Sequence, residues 1–305
     1  MALVVVMYHY VRDLSRTPFP RLNGLLPDEF ENQVKLLRGR YEMASLESAL
    51  SFLKGAYIPS RDLCLLTFDD GLQDHYEVVL PILMKYRLTG LFFIITACQE
   101  YGRVVSTHKN QFLMAALGFE EYREAFLKCL SSSEATPVPE VDPVSAKRTY
   151  RWDSLDVASF KYLVNHVLSE ELRVHVLDRL FAERLGDEGE FARQLYLSWE
   201  RAREMQSLGM MLGGHTHEHI ALARVSVDQQ KRDLETCADI LRRRLCPQAA
   251  WPFSYPYGKA DTFDSQTVEL LKRLNFECAF STESGTNLPG EDLFGLRRTD
   301  TKSIS

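Results

Sequence analysis

Short apolar segments of strand-like composition recur along most of this 305-residue chain, and helical patterns separate them. The segments predicted as strands are 3–8, 63–68, 91–96, 210–214, 250–255, 278–281 and 295–298. Strands that alternate with helices form βα units, in which the strands run parallel and are buried. The pattern therefore predicts an α/β fold built on a mostly parallel sheet.

Residues 100–195 interrupt this alternation, because they carry helical patterns and few strand signals. These patterns lie at 120–130, 155–168 and 170–185. Between the first two, the stretch 131–151 is rich in serine and proline and poor in aliphatic residues, which predicts a loop or a partly disordered segment. We therefore predict a single domain, 1–305, that contains a helical insertion at 100–195.

A pair of acidic residues ends one of the predicted strands, since Asp69 and Asp70 directly follow the segment 63–68. Ionised carboxylates at the end of a buried strand are costly unless they are paired or bind a metal. Adjacent side chains point in different directions, so one carboxylate can bind a metal ion while the other accepts a proton from water. An N-terminal cap for the helical pattern at 73–87 is the alternative interpretation.

A histidine-rich stretch follows the predicted strand 210–214. His215 and His219 are four residues apart, and on a helical turn this spacing places both imidazoles on one face, with His217 pointing elsewhere. The carboxyl ends of parallel strands meet at one edge of a sheet, so these histidines are expected near the aspartates. Two histidines and one carboxylate leave coordination positions for water and substrate, as in catalytic zinc sites. A polar loop without metal is the alternative.

The composition indicates a cytoplasmic protein with no nucleic-acid partner. The formal net charge is −6, and an acidic surface does not attract nucleic acids or anionic membranes. No segment approaches the ~20 apolar residues of a membrane span. The apolar run at 1–9 lacks a basic leader and predicts a buried strand rather than a signal sequence. The six cysteines have no C-x-x-C spacing, which favours free thiols in a reducing compartment.

Three motifs resemble those of the polysaccharide deacetylases of carbohydrate esterase family 4, which share the NodB-homology fold. The stretch 67–71 reads TFDDG and matches the family's T-F-D-D-G, and 215–219 reads HTHEH and matches its H-[ST]-x-x-H. The stretch 254–258 reads SYPYG and resembles its R-x-P-Y-G. The resemblance covers about residues 1–97 and 196–300 and implies a distorted (β/α)7-type barrel, with the helical insertion outside it.

The resemblance also implies a role for each matching residue. Asp69 would be the general base. The ligands of a divalent metal ion, expected to be Zn²⁺, would be Asp70, His215 and His219. Pro256 and Tyr257 would contact the substrate, and the backbone N–H of Tyr257 would help to hold the tetrahedral oxyanion.

The chain departs from the family pattern at two points. Ser254 stands where the family has an arginine that pairs with the base, and the C-terminal L-x-x-H-D motif, which supplies a histidine acid, is absent. Circularly permuted members carry that histidine after the first strand, which implies His9 as the general acid; a core histidine bonded to backbone is the alternative. Arg298 is the candidate cation for Asp69, with an ordinary ion pair as the alternative.

The implied activity is the metal-dependent hydrolysis of an N-acetyl group from an amino sugar, with release of acetate. The sugar would belong to a glycan, a nucleotide-linked sugar or a glycolipid precursor, the last reached by peripheral contact with a membrane. An O-acetyl carbohydrate esterase and a catalytically inactive carbohydrate-binding relative are the alternatives. The insertion at 100–195 is expected to cap the site and select the substrate. Tyr150, Arg151 and Trp152 would line this cap, with ordinary helix packing as the alternative.

Overall fold

The computed structural model describes residues 1–133 and 139–304, and within them eight strands form one sheet in which every paired neighbour is parallel. The strands are β1 (Leu3–Tyr8), β2 (Glu42–Met43), β3 (Leu63–Phe68), β4 (Leu91–Ile94), β5 (Met211–Gly214), β6 (Pro252–Ser254), β7 (Cys278–Phe280) and β8 (Thr299–Asp300). Their order is β7-β6-β5-β4-β3-β1-β8, and β2 pairs with the amino end of β3. The predicted parallel α/β fold is confirmed.

The α-helices of the same residues lie between these strands and in the long stretch between β4 and β5. They are α1 (Pro27–Arg40), α2 (Leu46–Leu53), α3 (Leu80–Tyr86), α4 (Thr96–Tyr101), α5 (Ser106–Leu117), α6 (Phe119–Ser133), α7 (Pro143–Thr149), α8 (Leu155–Tyr162), α9 (Glu170–Leu185), α10 (Glu188–Leu195), α11 (Trp199–Ser207), α12 (Val227–Arg244) and α13 (Ser265–Arg273). Two π-helical segments, His75–Val79 and Leu163–Val167, adjoin α3 and α8. No helix in the ranges given above is long and apolar enough to cross a membrane.

Alternation along the strands separates two apolar clusters on the two faces of the sheet. In β3, Leu63 and Leu65 belong to an inner cluster with α2, whereas Cys64, Leu66 and Phe68 belong to an outer cluster that includes residues of α1, α3 and α12. The strands are therefore buried on both faces, as expected for a curled parallel sheet covered by helices. The same alternation sets the face of the sheet on which the residues directly after each strand lie.

The stretch that joins the two edges of the sheet differs from the predicted strand 295–298. Leu296 forms an isolated parallel bridge with Phe280 of β7, and the two residues of β8 then pair with β1. The polypeptide thus contacts one edge of the sheet first and the other edge three residues later, which leaves no continuous strand at 295–298. This short connection closes the sheet into a distorted barrel, in agreement with the predicted fold class.

The chain divides into two compact units. The first contains the sheet and consists of Met1–Asp13, Gly24–Gly102 and the residues from Arg193 onward. The second consists of Leu14–Asn23 and Arg103–Ala192, and it is helical. Its own apolar core joins residues of α5, α6, α8 and α9, including Tyr122, Phe126 and Leu177.

The stretch 131–151 of the second unit differs in part from its prediction as a loop. Residues 143–149 form α7, because Pro143 begins the helix and the carboxylate of Asp142 accepts hydrogen bonds from the backbone N–H groups of Val144 and Ser145. Residues 134–138 of this stretch lie outside the residues that the structure describes. The serine- and proline-rich composition therefore predicted a loop where a capped helix forms.

Candidate active site

The chemistry-bearing residues meet at the carboxyl edge of the sheet, where parallel strands deliver their end residues together. Asp69 follows β3 and keeps the alternation of that strand, so it continues the face of Leu63 and Leu65 into the barrel. His215 follows β5 directly, and Ser254 ends β6. These three strands, β3, β5 and β6, thus each contribute one polar residue to a buried polar layer above the inner apolar cluster.

Asp69 and Arg298 form a fully buried ion pair. Two guanidinium nitrogens of Arg298 donate to the two carboxylate oxygens of Asp69, each at 2.8 Å, and Nε donates to the carbonyl oxygen of Ser281 at 2.7 Å. The hydroxyl of Ser254 donates to Asp69 Oδ2 at 3.2 Å and accepts from Arg298 at 3.0 Å. Ser254 therefore links the pair, and Arg298 supplies the cation that the third motif lacks.

This arrangement keeps Asp69 ionised. Burial alone raises the pKa of the Asp69 carboxyl, but the charge and hydrogen bonds of Arg298 outweigh it, together with the nearby His215. The net effect is a pKa below the ordinary value for aspartate. Asp69 is therefore a carboxylate at neutral pH and can accept a proton.

Asp70, His215 and His219 form a cluster that can hold a metal ion, with one donor atom from each residue within 4.8 Å of the others. Nε2 of His215 lies 3.4 Å from Oδ1 of Asp70, and Nε2 of His219 lies 3.6 Å from the same oxygen. All three side chains are almost completely buried. Two imidazole nitrogens and a carboxylate oxygen form the donor set of one class of catalytic zinc sites.

The hydrogen bond at the other ring nitrogen of His215 supports metal binding. Nδ1 of His215 lies 2.7 Å from the carbonyl oxygen of Ser254, which can only accept, so Nδ1 carries the proton and Nε2 presents its lone pair to the cluster. Burial lowers the pKa of His215, but its hydrogen bond to Asp70 and the charges of Asp69 and Asp70 raise it more, for a net increase. The residues therefore fit a divalent ion, and protons compete with that ion at low pH.

The histidine motif is not helical, contrary to the expected helical turn. Residues 215–220 form an irregular loop in which Thr216 and His219 adopt left-handed backbone conformations, with φ of 62° and 56°. Asp233 of α12 holds this loop, because its two carboxylate oxygens accept hydrogen bonds from the backbone N–H groups of His217 and Glu218 at 2.8 and 3.0 Å. Backbone strain stabilised by a buried carboxylate, rather than helical spacing, brings the two imidazoles together.

Left-handed conformations also occur on the other two motif loops. Asp70 has φ of 78° and Gly71 has φ of +61°, and a Cβ at Gly71 would come within 3.3 Å of the Cα of Ile94. Non-glycine residues rarely adopt such conformations, and those that do concentrate at functional sites. The abrupt turn after Asp69 explains how two adjacent aspartates can serve different partners.

The Pro256–Tyr257 turn borders the metal cluster. Pro256 is buried, and the ring of Tyr257 lies 5.2 Å from the ring of His219, centroid to centroid. Tyr257 has φ of 62°, and Thr282 fixes the turn by donating hydrogen bonds to the carbonyl oxygens of Tyr257 and Gly258. The turn is thus held rigidly next to the candidate ligands.

His9 lies at the same edge, directly after β1. Its Nε2 is 3.9 Å from Oδ2 of Asp69, and 42% of its side chain is exposed to solvent. The alternative interpretation as a core histidine therefore does not describe its ring. The imidazole is placed where it can exchange protons with a bound molecule beside Asp69.

Sequence reasoning missed Asp233 and His75 as residues that support the site. Asp233 lies on the buried face of α12 with Leu234, Cys237 and Leu241, and an acidic residue among apolar residues at helical spacing is a signal that could have identified it. His75 is completely buried beside the aspartate loop. Its sequence context offers no comparable signal.

Comparisons with known proteins identify the family and the fold. The sequence profile of the polysaccharide deacetylase family matches residues 57–119 and 168–279, more than half of the chain. A Bacillus subtilis (strain 168) protein, YxkH, whose name assigns it to the polysaccharide deacetylases, is 31% identical over 94 residues, which are 30% of this chain. The match spans about a third of that relative's length (32%).

Two solved structures share the fold along almost the whole chain. The Streptococcus pyogenes deacetylase PplD in complex with acetate has a TM-score of 0.62 at 19% identity, and the alignment covers 98% of this chain and 92% of that one. IcaB from Ammonifex degensii has a TM-score of 0.59 at 20% identity, covering 97% and 91%. The chain belongs to the polysaccharide deacetylase family, and its NodB-like fold confirms the resemblance drawn from the three motifs.

Proposed function

We propose that this chain is a metal-dependent deacetylase that removes the N-acetyl group of an amino sugar and releases acetate. The observation that carries the proposal is the cluster of Asp70, His215 and His219 next to an ionised Asp69 at one edge of the barrel. A cluster of ligands beside a separate base is the arrangement that metal-assisted hydrolysis requires. The acetate in the PplD structure is the product that this reaction would release.

Asp70, His215 and His219 would hold the ion, for which we propose Zn²⁺, since two histidines and a carboxylate also bind the metal in one class of catalytic zinc sites. When bound, such an ion would polarise the acetyl carbonyl and lower the pKa of water. Asp69 would accept the proton of the attacking water, since Arg298 keeps this carboxylate ionised. The N–H of Tyr257 would donate to the oxyanion from its rigid turn.

His9 would donate a proton to the departing nitrogen of the sugar. An amine leaves poorly unless it is protonated, whereas the alcohol of an ester leaves more readily. A half-exposed imidazole with its Nε2 3.9 Å from the base is suited to this step, because a protonated imidazole can donate a proton to a nitrogen within hydrogen-bond reach. An acid at this position favours the N-acetyl substrate over the O-acetyl one.

The second unit would contribute to the choice of substrate. Trp152 supports this, because 72% of its surface is exposed and the guanidinium of Arg151 lies 4.8 Å from its ring centroid. Its ring does not serve helix packing, and an exposed aromatic face can contact a sugar. Tyr150 instead bonds to Asn165 and His166 within the unit. A Trp152→Ala variant should raise KM for an acetylated oligosaccharide and leave a small acetyl ester unaffected.

The test is acetate release from a panel of N- and O-acetylated sugars, measured on metal-stripped protein before and after addition of Zn²⁺. We expect hydrolysis of N-acetyl sugars only in the loaded protein. The His219→Ala variant should bind less metal by elemental analysis and lose activity in proportion. Full activity of the stripped protein would contradict the proposal, and hydrolysis of O-acetyl sugars alone would identify an esterase.

A further inference from the structure

We propose that His75 is a positioning residue for His9: its buried ring connects the main chain of His9 to the loop that carries the two aspartates, and so sets the distance between His9 and Asp69. The inference rests on the proposed function, in which His9 is the acid. It concerns a residue that is neither a candidate metal ligand nor the proposed base or acid.

The ring of His75 joins two loops that end neighbouring strands. Its Nε2 lies 3.1 Å from the carbonyl oxygen of His9, which follows β1, and its Nδ1 accepts a hydrogen bond from the backbone N–H of Leu72 at 3.3 Å. The ring is fully buried against Phe68 and Phe92, each 5.6 Å away between centroids. One rigid side chain therefore fixes both loops relative to each other.

The two contacts define the proton position on the ring. The carbonyl of His9 can only accept, so Nε2 carries the hydrogen, and the N–H of Leu72 can only donate, so Nδ1 carries the lone pair. Burial lowers the pKa of His75 to about 4, which keeps the ring neutral at physiological pH. His75 is therefore a fixed connector and does not itself exchange protons during turnover.

The position of His9 depends on this main-chain anchor, because its own ring is 42% exposed and receives little packing support. The flanking residues are held to the same region: the carbonyl of Tyr8 accepts from the N–H of Asp69 at 2.9 Å, and Arg12 donates to Asp74 at 2.7 Å. His75 provides the connection at His9 itself. Without the hydrogen bond from His75, the main chain of His9 would be held in place only through the contacts of neighbouring residues such as Tyr8 and Arg12.

Two amide substitutions separate the two contacts. The amide nitrogen of His75→Gln reaches about as far as Nε2 and can still donate to the carbonyl of His9. The shorter His75→Asn can accept from Leu72 but cannot reach His9. Since misplacement of a catalytic group by about 1 Å costs up to about 10²-fold in rate, we expect His75→Asn to lose about tenfold or more in kcat on an N-acetyl sugar, and His75→Gln to retain most of it.

A double-mutant comparison distinguishes positioning from general destabilisation. If His75 acts through His9, His75→Asn should cause no further loss in a His9→Ala background, with metal content unchanged throughout. The loss in the single variant should be smaller on an activated aryl acetate, whose leaving group needs no acid. Equal losses for Asn and Gln, or a full additional loss in the His9→Ala background, would overturn the proposal.

Crystal structures of the variants test the same inference without any measurement of turnover. If the wild-type protein releases no acetate, the proposed function is refuted, but the structures still decide whether His75 positions His9. The separation of His9 Nε2 and Asp69 Oδ2 should exceed 3.9 Å in His75→Asn and be retained in His75→Gln. An unchanged separation in His75→Asn would overturn the inference. Should His75→Asn not fold, His75→Phe keeps an aromatic ring at this position and removes the same contact.

Discussion

Arg298 binds both carboxylate oxygens of Asp69, at 2.8 Å each, from a position 229 residues further along the chain. The bidentate geometry is specific to a planar guanidinium, which presents two parallel N–H donors to a carboxylate. Because both side chains are buried, water cannot solvate either charge in place of its partner. Burial raises the pKa of Asp69, and the charge and hydrogen bonds of Arg298 are the main opposing effect, so the ionised state of Asp69 depends on this partner.

The first prediction concerns the pH dependence of activity. An Arg298→Lys variant keeps the charge but loses the bidentate contact, so burial raises the pKa of Asp69 with less opposition. The acid limb of the profile of kcat/KM against pH should therefore move to higher pH, because the base becomes protonated earlier as the pH falls. Arg297→Lys, at the adjacent residue that pairs with Glu291, is the matched control and should leave the limb in place. An unmoved limb in Arg298→Lys would exclude Asp69 as the base.

The second prediction separates the two aspartates. Asp69→Asn should retain its metal and lose about 10²–10⁴-fold in kcat, since an amide cannot accept the proton of water. Asp70→Asn should lose both metal and turnover, because it removes a ligand from a three-residue cluster. Metal content by elemental analysis, measured beside acetate release, distinguishes the two. Normal turnover by metal-loaded Asp69→Asn would transfer the base role elsewhere.

The third prediction concerns the support of the histidine loop by Asp233. An Asp233→Asn substitution replaces one accepting oxygen with an amide group that faces a backbone N–H, which disrupts the loop that bears His219. Removal of such supporting contacts typically weakens metal binding by about 10–100-fold. Competition with a chelator of known affinity measures the change. Asp239→Asn, on the exposed face of the same helix, should bind metal like the wild type.

The fourth prediction concerns stability against pH. His75 stays neutral in the folded protein down to a pKa of about 4, whereas in the unfolded chain it binds a proton near the ordinary value of 6.5. The unfolded state therefore binds more protons between these values, and the free energy of unfolding should fall as the pH decreases from about 6.5 to about 4. His75→Phe should reduce this dependence by roughly 3 kcal/mol in total, at about 1.4 kcal/mol per pH unit.

Urea unfolding of the metal-free wild type and His75→Phe at pH 7 and pH 5 measures this difference. Because the other ionisable groups are common to both proteins, the comparison isolates the contribution of His75. Parallel changes in the two proteins would show that the ring is already charged in the folded state.

The strand pattern could be predicted from the sequence because buried parallel strands are uniformly apolar over several residues, as β1 and β3 are. Their ends could be predicted as well, since the paired aspartates interrupt the apolar run at a defined position. The shortest strands could not be predicted in the same way. β2 and β8 contain two residues each, and their pairing depends on the closure of the sheet rather than on local composition.

The geometry of the histidine loop was beyond sequence reasoning for a different reason. Spacing of four residues suits a helix, but the backbone of Thr216 and His219 is left-handed, and no side chain in that stretch indicates a positive φ. The conformation depends on Asp233, which lies in another element. Likewise, residues Leu14–Asn23 belong to the helical unit, although they are distant in sequence from the interrupted region at 100–195.

The stretch from Leu296 to Asp300 contacts both edges of the sheet and also carries Arg298. During synthesis, both aspartates and both histidines of the candidate metal cluster leave the ribosome before this arginine does. Until the stretch docks, burial acts on Asp69 without its counter-charge. A molecule that has not finished folding would thus contain all the candidate metal ligands and still lack the counter-charge of the proposed base. The need for this last stretch to dock would therefore prevent incompletely folded molecules from hydrolysing substrate.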